Sequence, residues 1–209
     1  MRIVAVLQAR MNSTRLPGKA LKEINGVPIL VHIWRRLLAC KEVDECVLAW
    51  GGQWPDGVQA KLHGYGMRGI NGSENDLLER LRVVGDVTKA DAILRVRADC
   101  LFLDPALLDE LVVWFREGYP FCRAVSNWPQ RRHSEGVDAE IWSMELLAEL
   151  DRAKECPRED FGTWAIKNRH CICQRENTCD GSPHLSIDTQ EDFDRAVKMM
   201  EWLATNNGG

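Results

Sequence analysis

Two rhythms of hydrophobic and polar positions run through the first 117 residues. Ile3–Leu7 is a continuous apolar run, which suits a strand buried on both faces of a parallel sheet. The polar stretch Gln8 to Gly26 reads as a loop. Val27–Ala39 then places Ile29, Leu30, Ile33, Trp34, Leu37 and Leu38 on one helical stripe, with Pro28 at a first helical position. Cys46–Trp50 is the next strand, Gly51-Gly52 a break, and 55–63 a weak helix. Asp76–Lys89 predicts a helix through Leu77, Leu78, Leu81 and Val84. Ala92–Ala98 alternates as a strand with Ala92, Leu94, Val96 and Ala98 on one side, and Asp104-Pro105 caps a helix reaching Glu117. Strand and helix in alternation predict βαβ units and a parallel sheet.

After 117 the rhythm breaks. Phe121–Ser126, Val137–Trp142 and Cys171–Gln174 read as strands, with helices near 144–153 and 160–168. The last pair is regular again: a strand at Leu185–Ile187 and a helix from Gln190 to about Ala204, opened by Thr189 and Asp192 as a capping box. No linker divides the chain. The expectation is one domain over 1–209, an α/β three-layer α/β/α sandwich with a mostly parallel sheet. The irregular stretch, about 120–183, is then an insertion beside an acceptor site or at a dimer interface.

Composition narrows the function. The chain is 45% hydrophobic and 28% charged, as soluble globular proteins are, and its net charge of −4 argues against a dedicated nucleic-acid binder. Residues 1–40 carry seven Lys/Arg and one Asp/Glu, about +6, leaving about −10 for the remainder. A basic entry to an acidic chain suggests an anion site, or a solvated basic face. No apolar run approaches a membrane span or a secretory h-region. Eight cysteines without a leader read as reduced, mostly buried thiols of a cytoplasmic protein. Cys171, Cys173 and Cys179 lack the paired spacing of a zinc site.

The densest chemistry lies in Gln8-Ala9-Arg10-Met11-Asn12-Ser13-Thr14-Arg15-Leu16-Pro17-Gly18-Lys19, which leaves the C-terminal end of the first strand. Ligands of open α/β sheets bind at such ends. Arg10, Arg15 and Lys19 can hold phosphate oxygens, Ser13 and Thr14 add hydroxyls, and Gly18 lets backbone approach closely. Neither a Walker A loop nor a GxGxxG fingerprint is present. Two further acids stand at predicted strand ends, Asp99 and Asp188. A pair of carboxylates is what Mg²⁺ takes alongside phosphate oxygens, although each could instead cap a helix.

The run Q-A-R-x-x-S-T-R-L-P-G-K, matched at Gln8–Lys19, resembles the opening of the cytidylyltransferases of the spore-coat polysaccharide biosynthesis protein F type. More distantly it resembles the 3-deoxy-manno-octulosonate and acylneuraminate cytidylyltransferases. Further resemblance lies in Gly72-Ser73-Glu74-Asn75-Asp76, Ala98-Asp99-Cys100, Leu103-Asp104-Pro105, Glu135–Glu140, Arg158-Glu159 and Ile187–Asp192. The resemblance implies a fold like that of the nucleotide-diphospho-sugar transferases, a CTP donor, Mg²⁺ and commonly a homodimer. It places Gln8, Ala9, Arg10, Ser13, Arg15 and Lys19 on the nucleotide, and the metal on Asp99 and Asp188. Arg10, Lys19, Asp99 and Asp188 are then the catalytic set. Ser73 and Asp76 fall beside the nucleotide, where Asp76 would accept from the cytosine amine or else serve as a helix-opening acid. Asp138, Glu140, Arg158 and Glu159 fall on the acceptor side, or form salt bridges there. Ala98-Asp99-Cys100-Leu101 with Arg97 before it, where relatives tend to read Gly-Asp-Cys-Pro, and Asp160, where they tend to carry histidine, leave the acceptor open between a sugar acid, a phosphonate and another small anion. His133 beside Arg131-Arg132 is a further candidate for an anionic acceptor, or else a solvated loop histidine.

The expected activity is transfer of CMP from CTP to such an acceptor, with pyrophosphate released. Alternatives are the same fold with another nucleotide donor and a nucleotide-binding module without catalysis.

Overall fold

A computed structural model describes residues 1–126, 135–168, 172–174 (backbone only) and 184–206. In chain order its elements are β1 (Ile3–Arg10), a 3-10 turn at Lys19–Leu21, β2 (Glu23–Ile24), β3 (Val27–Pro28), α1 (Ile29–Leu37), β4 (Glu45–Gly51), α2 (Val58–Gly64), β5 (Gly69–Gly72), α3 (Leu77–Thr88), β6 (Ala92–Arg97), α4 (Pro105–Gly118), β7 (Ala124–Ser126), β8 (Ala139–Ser143), α5 (Met144–Arg152), α6 (Phe161–Lys167), β9 (Ile172–Gln174) and α7 (Gln190–Asn206).

The apolar run at the start of β1 is buried from both sides. Ile3, Ala5, Leu7 and Ala9 join one core with α1 and α4, whereas Val4 and Val6 join a second core with α3, α5 and α6. A side-chain period of two divides the residues of one strand between two helical layers. The result is the expected three-layer sandwich. Its sheet runs β5-β4-β1-β6-β8-β7-β9, with β5, β4, β1 and β6 mutually parallel and β8 antiparallel to β6.

Successive crossovers from β1 go first to β4 and β5, then to β6 on the other side. Strand order therefore reverses between β1 and β6, and the crevice outside their carboxyl ends is the topological switch point where open α/β sheets bind ligands. Gln8, Arg10, Arg95 and Arg97 continue the face of Val4, Val6 and Ile93 toward that crevice.

Several expectations need correction. Gln8–Arg10 are strand and not loop, because both edges of β1 are paired as far as Gln8 and one edge to Arg10. Pro28 precedes α1 as its N-cap, since Val27-Pro28 pairs with Glu23-Ile24 in a hairpin turned by Asn25 and Gly26 at φ 52° and 73°. Leu185–Ile187 is not a strand. Its amides are met singly by loop carbonyls, Leu185 by Glu135 and Ile187 by Asp99, so no ladder forms. The capping box does form, with the Thr189 amide and hydroxyl donating to Asp192 and the Asp192 amide to Thr189 Oγ1.

Cys40, Cys46, Cys100 and Cys156 are free thiols, but Cys122 is disulfide-bonded. The expectation of reduced cysteines fails at Cys122. Cys171 and Cys179 lie outside the described residues, as do Arg131, Arg132 and His133. Among the described residues no helix is long and apolar enough to cross a membrane.

Candidate functional site

The polar turn after β1 is built to aim its cations. The Ser13 and Gly18 amides both donate to the Met11 carbonyl, and the buried Leu16 anchors the turn on the core. Gly18 has φ 65°, a left-handed conformation that costs glycine least, and it opens the 3-10 turn carrying Lys19. Lys19 thereby points under the turn toward the end of β6. Its ammonium donates to Asp99 Oδ2 at 3.2 Å, to Asp188 Oδ1 at 3.1 Å and to the Ile187 carbonyl at 3.0 Å.

Two acids 89 residues apart in sequence thus meet on one cation. The backbone explains how. Asp99 follows β6, and its carbonyl accepts from the Ile187 amide at 3.0 Å, which ties the 184–188 segment alongside. Asp192 accepts from the Asp188 amide at 3.1 Å and fixes the entry to α7. Arg15 adds a second ion pair to Asp188 Oδ1 at 2.9 Å, and Arg97 one to Asp99 Oδ1 at 3.2 Å. Burial pushes the Asp99 carboxyl up, but Arg97 and Lys19 outweigh it and hold it below the usual range. The neighbouring Cys100 is fully buried, and burial beside Asp99 pushes its thiol up, so it is no nucleophile.

A cleft of about 300 Å³ opens over these groups. Its walls include Gln8, Ala9, Arg10, Ser13, Arg15, Lys19, Asp99 and Asp188. Five cations (Arg10, Arg15, Lys19, Arg95, Arg97) face three acids (Asp99, Asp188, Glu159) there, an excess that suits a polyanion. A second cleft of about 330 Å³ adjoins it and shares Arg95, Arg97 and Glu159. The second one reverses the balance, with Asp138, Glu140, Glu159 and Asp160 against the two arginines.

Of the residues expected on the acceptor side, Asp138, Glu140 and Glu159 line this second cleft. Arg158 lines neither; it is bound to Asp76 at 2.6 Å and Asp151 at 2.5 Å. Ser73 and Asp76 also stand outside both linings. Asp76 caps α3 by accepting from the Glu79 amide at 2.8 Å, while Ser73 Oγ accepts from the Asp76 amide. Their neighbour Leu77 reaches the first cleft instead.

Sequence reasoning missed Arg95. It donates to Gln8 Oε1 at 2.8 Å and to Glu140 Oε2 at 2.7 Å, and so joins β1, β6 and β8 between the two clefts. The signal was present in Ile93, Arg95 and Arg97, the alternate face of a strand whose other face is wholly apolar. Arg80 was missed too. It is fully buried over Gly51, and its guanidinium has no hydrogen-bond partner among the described residues.

The donors at Asp99 and Asp188 are hard oxygens that already reach a common cation, as a Mg²⁺ site requires. No group of three His, Cys, Asp or Glu side chains comes together among the described residues, so any further ligands there would be carbonyl, phosphate or water oxygens.

A family model described as cytidylyltransferase matches residues 4–128. The chain is similar to the spore coat polysaccharide biosynthesis protein SpsF of Bacillus subtilis, 31% identical over 206 residues that cover 92% of this chain and 83% of that one. It is 33% identical over 115 residues to a 3-deoxy-manno-octulosonate cytidylyltransferase of Geobacter sulfurreducens, covering 54% of this chain and 44% of the relative. Among solved structures it is similar to a cytidylyltransferase from Leptospira borgpetersenii, with TM-score 0.87, 28% identity and coverage of 99% and 95% of the two chains. The fold is also that of a CMP:2-keto-3-deoxy-manno-octonic acid synthetase complexed with CTP, at TM-score 0.75 and 18% identity over 97% of this chain and 99% of that one.

Proposed function

The chain belongs to the cytidylyltransferase family, and from that premise we propose that it transfers CMP from CTP to a small anionic acceptor and releases pyrophosphate. The observation that carries this reading is the meeting of Lys19, Asp99 and Asp188 under a cation-rich cleft at the switch point of the sheet.

In the reaction an acceptor oxygen attacks the α-phosphorus of CTP, and the bond to the β-phosphate oxygen breaks as negative charge builds on the leaving pyrophosphate. Arg10, Arg15 and Lys19 hold the triphosphate, with the β1 terminus at Gln8 and Ala9 beside the nucleoside. Charge stabilisation of that kind is the largest contribution an enzyme makes to phosphoryl-group chemistry. Asp99 and Asp188 hold Mg²⁺, which supplies neutralisation of the phosphate oxygens when bound. The second cleft takes the acceptor. Its acid excess suits hydroxyl groups, which donate to carboxylates, while Arg97 at the boundary of the two clefts suits one anionic group on the same molecule. A hydroxylated acid or phosphonate combines both.

The same reading takes 1–209 as one nucleotidyltransferase domain of a cytoplasmic homodimer. The decisive experiment incubates the protein with Mg²⁺, each of four nucleoside triphosphates and a panel of small acids, and measures pyrophosphate together with a CMP adduct by mass. Pyrophosphate from CTP alone is expected. Equal release from UTP or GTP, or none from any, overturns the proposal.

A further inference from the structure

Lys19 occupies a position that its motif does not explain. As a triphosphate ligand it should present free N–H donors to the cleft. Here all three donors of the ammonium are matched by protein oxygens, those of Asp99, Asp188 and Ile187. The group is only 15% exposed, and the two carboxylates are 13% and 15% exposed. Two acids this close and this dry repel each other strongly unless a cation lies between them. Arg15 pairs with Asp188 and Arg97 with Asp99, but Lys19 is the cation that touches both acids, seated on the same two carboxylates that the proposed reaction assigns to the metal.

An ammonium and a divalent ion cannot share this seat. Each would bring positive charge onto the other at contact distance, and each satisfies the same carboxylate oxygens. Lys19 can leave, because its flexible four-carbon stem pivots from the turn at Gly18, whereas the acids are fixed by β6 and by the capped start of α7. What draws it away is a competing anion in the cleft above.

We propose that Lys19 is an internal counter-cation that closes the Asp99–Asp188 site in the free protein and opens it by transferring to the incoming triphosphate. The consequence is an order of binding: the nucleotide vacates the metal site, and the divalent ion enters with it or after it. The inference rests on the proposed roles of Asp99 and Asp188, and it adds that the free protein is a poor metal binder by construction.

The test needs neither acceptor nor turnover. Mn²⁺ is titrated into the nucleotide-free protein, and free Mn²⁺ is followed by electron paramagnetic resonance. The wild type is expected to bind weakly, and Lys19→Met at least about tenfold more tightly, because one positive charge has left the site. Adding Asp188→Asn to Lys19→Met should abolish the gain. Lys19→Gln is run in parallel, and thermal unfolding in the presence of Mn²⁺ checks that the variants are folded. Affinities of Lys19→Met and Lys19→Gln within twofold of wild type overturn the inference, as does a gain that survives Asp188→Asn. Because no nucleotide is present, a Mn²⁺ gain in a protein that releases no pyrophosphate from CTP would leave Lys19 standing as the counter-cation of the two acids and remove the proposed function. Cytidylyl transfer without the gain would do the reverse.

Discussion

The two clefts share three side chains and differ in how they treat charge. In the first cleft, above the parallel strands, Arg10 and Arg15 are held loosely. Arg15 is 66% exposed and Arg10 39% exposed, so positive charge is available to a ligand that arrives. In the second cleft, where β8 runs antiparallel to β6, charge is consumed internally. Arg95 is 13% exposed and locked between Gln8 and Glu140, while Asp138 is paired with Arg97 at 3.5 Å. A loose cation excess binds any polyphosphate strongly and with little discrimination. A pre-paired network offers fixed acceptors and donors, and so rewards one shape of molecule. In the proposed function the site divides its labour accordingly: affinity on one side of Arg95 and selection on the other.

The strongest way to break this division is to remove the acids of the first cleft. Asp99→Asn and Asp188→Asn are each expected to lower pyrophosphate release by about a hundredfold or more with the fold intact. Near wild-type turnover in both variants would end the account of that cleft. Next in size is a stability effect outside the cleft lining, at the buried Arg80. An added Cβ at Gly51 would lie 1.8 Å from Arg80 Nη1. Gly51→Ala should therefore cost about 1–3 kcal/mol by overpacking, read from urea unfolding, and an unchanged midpoint would show that the guanidinium has room to move.

Asp138→Asn tests the other side. It removes a charged partner from the acceptor cleft alone, so KM for the acceptor should rise about tenfold while KM for CTP stays within twofold. A rise for CTP instead would show that the clefts are not separable. The smallest effect is structural. Burial pushes the Asp192 carboxyl up, but hydrogen bonds from Thr189 and Arg195 outweigh it and hold it at about 2, below its ordinary 3.8. That stabilisation is complete above the ordinary value and lost as pH falls toward 2. Asp192→Ala should cost about 1 kcal/mol near neutral pH, as lost caps do. The gap from wild type in thermal unfolding should narrow between about pH 4 and pH 2.

Particular residues show where the sequence was readable. Asn25-Gly26, a strong hairpin signal, went unused because the flanking strands are two residues each, too short to show alternation. Leu185–Ile187 has a strand's composition but no ladder partner, and composition cannot report what a backbone amide meets. Ser73 and Asp76 match the family's order, yet their side chains are spent on capping α3 and, for Asp76, on Arg158. A motif fixes position along the chain, whereas the reach of a side chain depends on its neighbours in space.

By itself the amino-acid order determined whatever is decided within a dozen residues. It set the doubly buried first strand, the helices and their caps, and the cationic turn that needs glycine at its left-handed corner. Those outcomes follow from side-chain period and local hydrogen bonding, which act between near neighbours. Only the tertiary structure decided that Asp99 and Asp188 share one ammonium, that Arg95 divides the clefts, and that Arg158 lines neither. Each of those contacts depends on the order of strands in the sheet and on loop backbone bonds spanning tens of residues. Such distances are set by the packing of the whole chain.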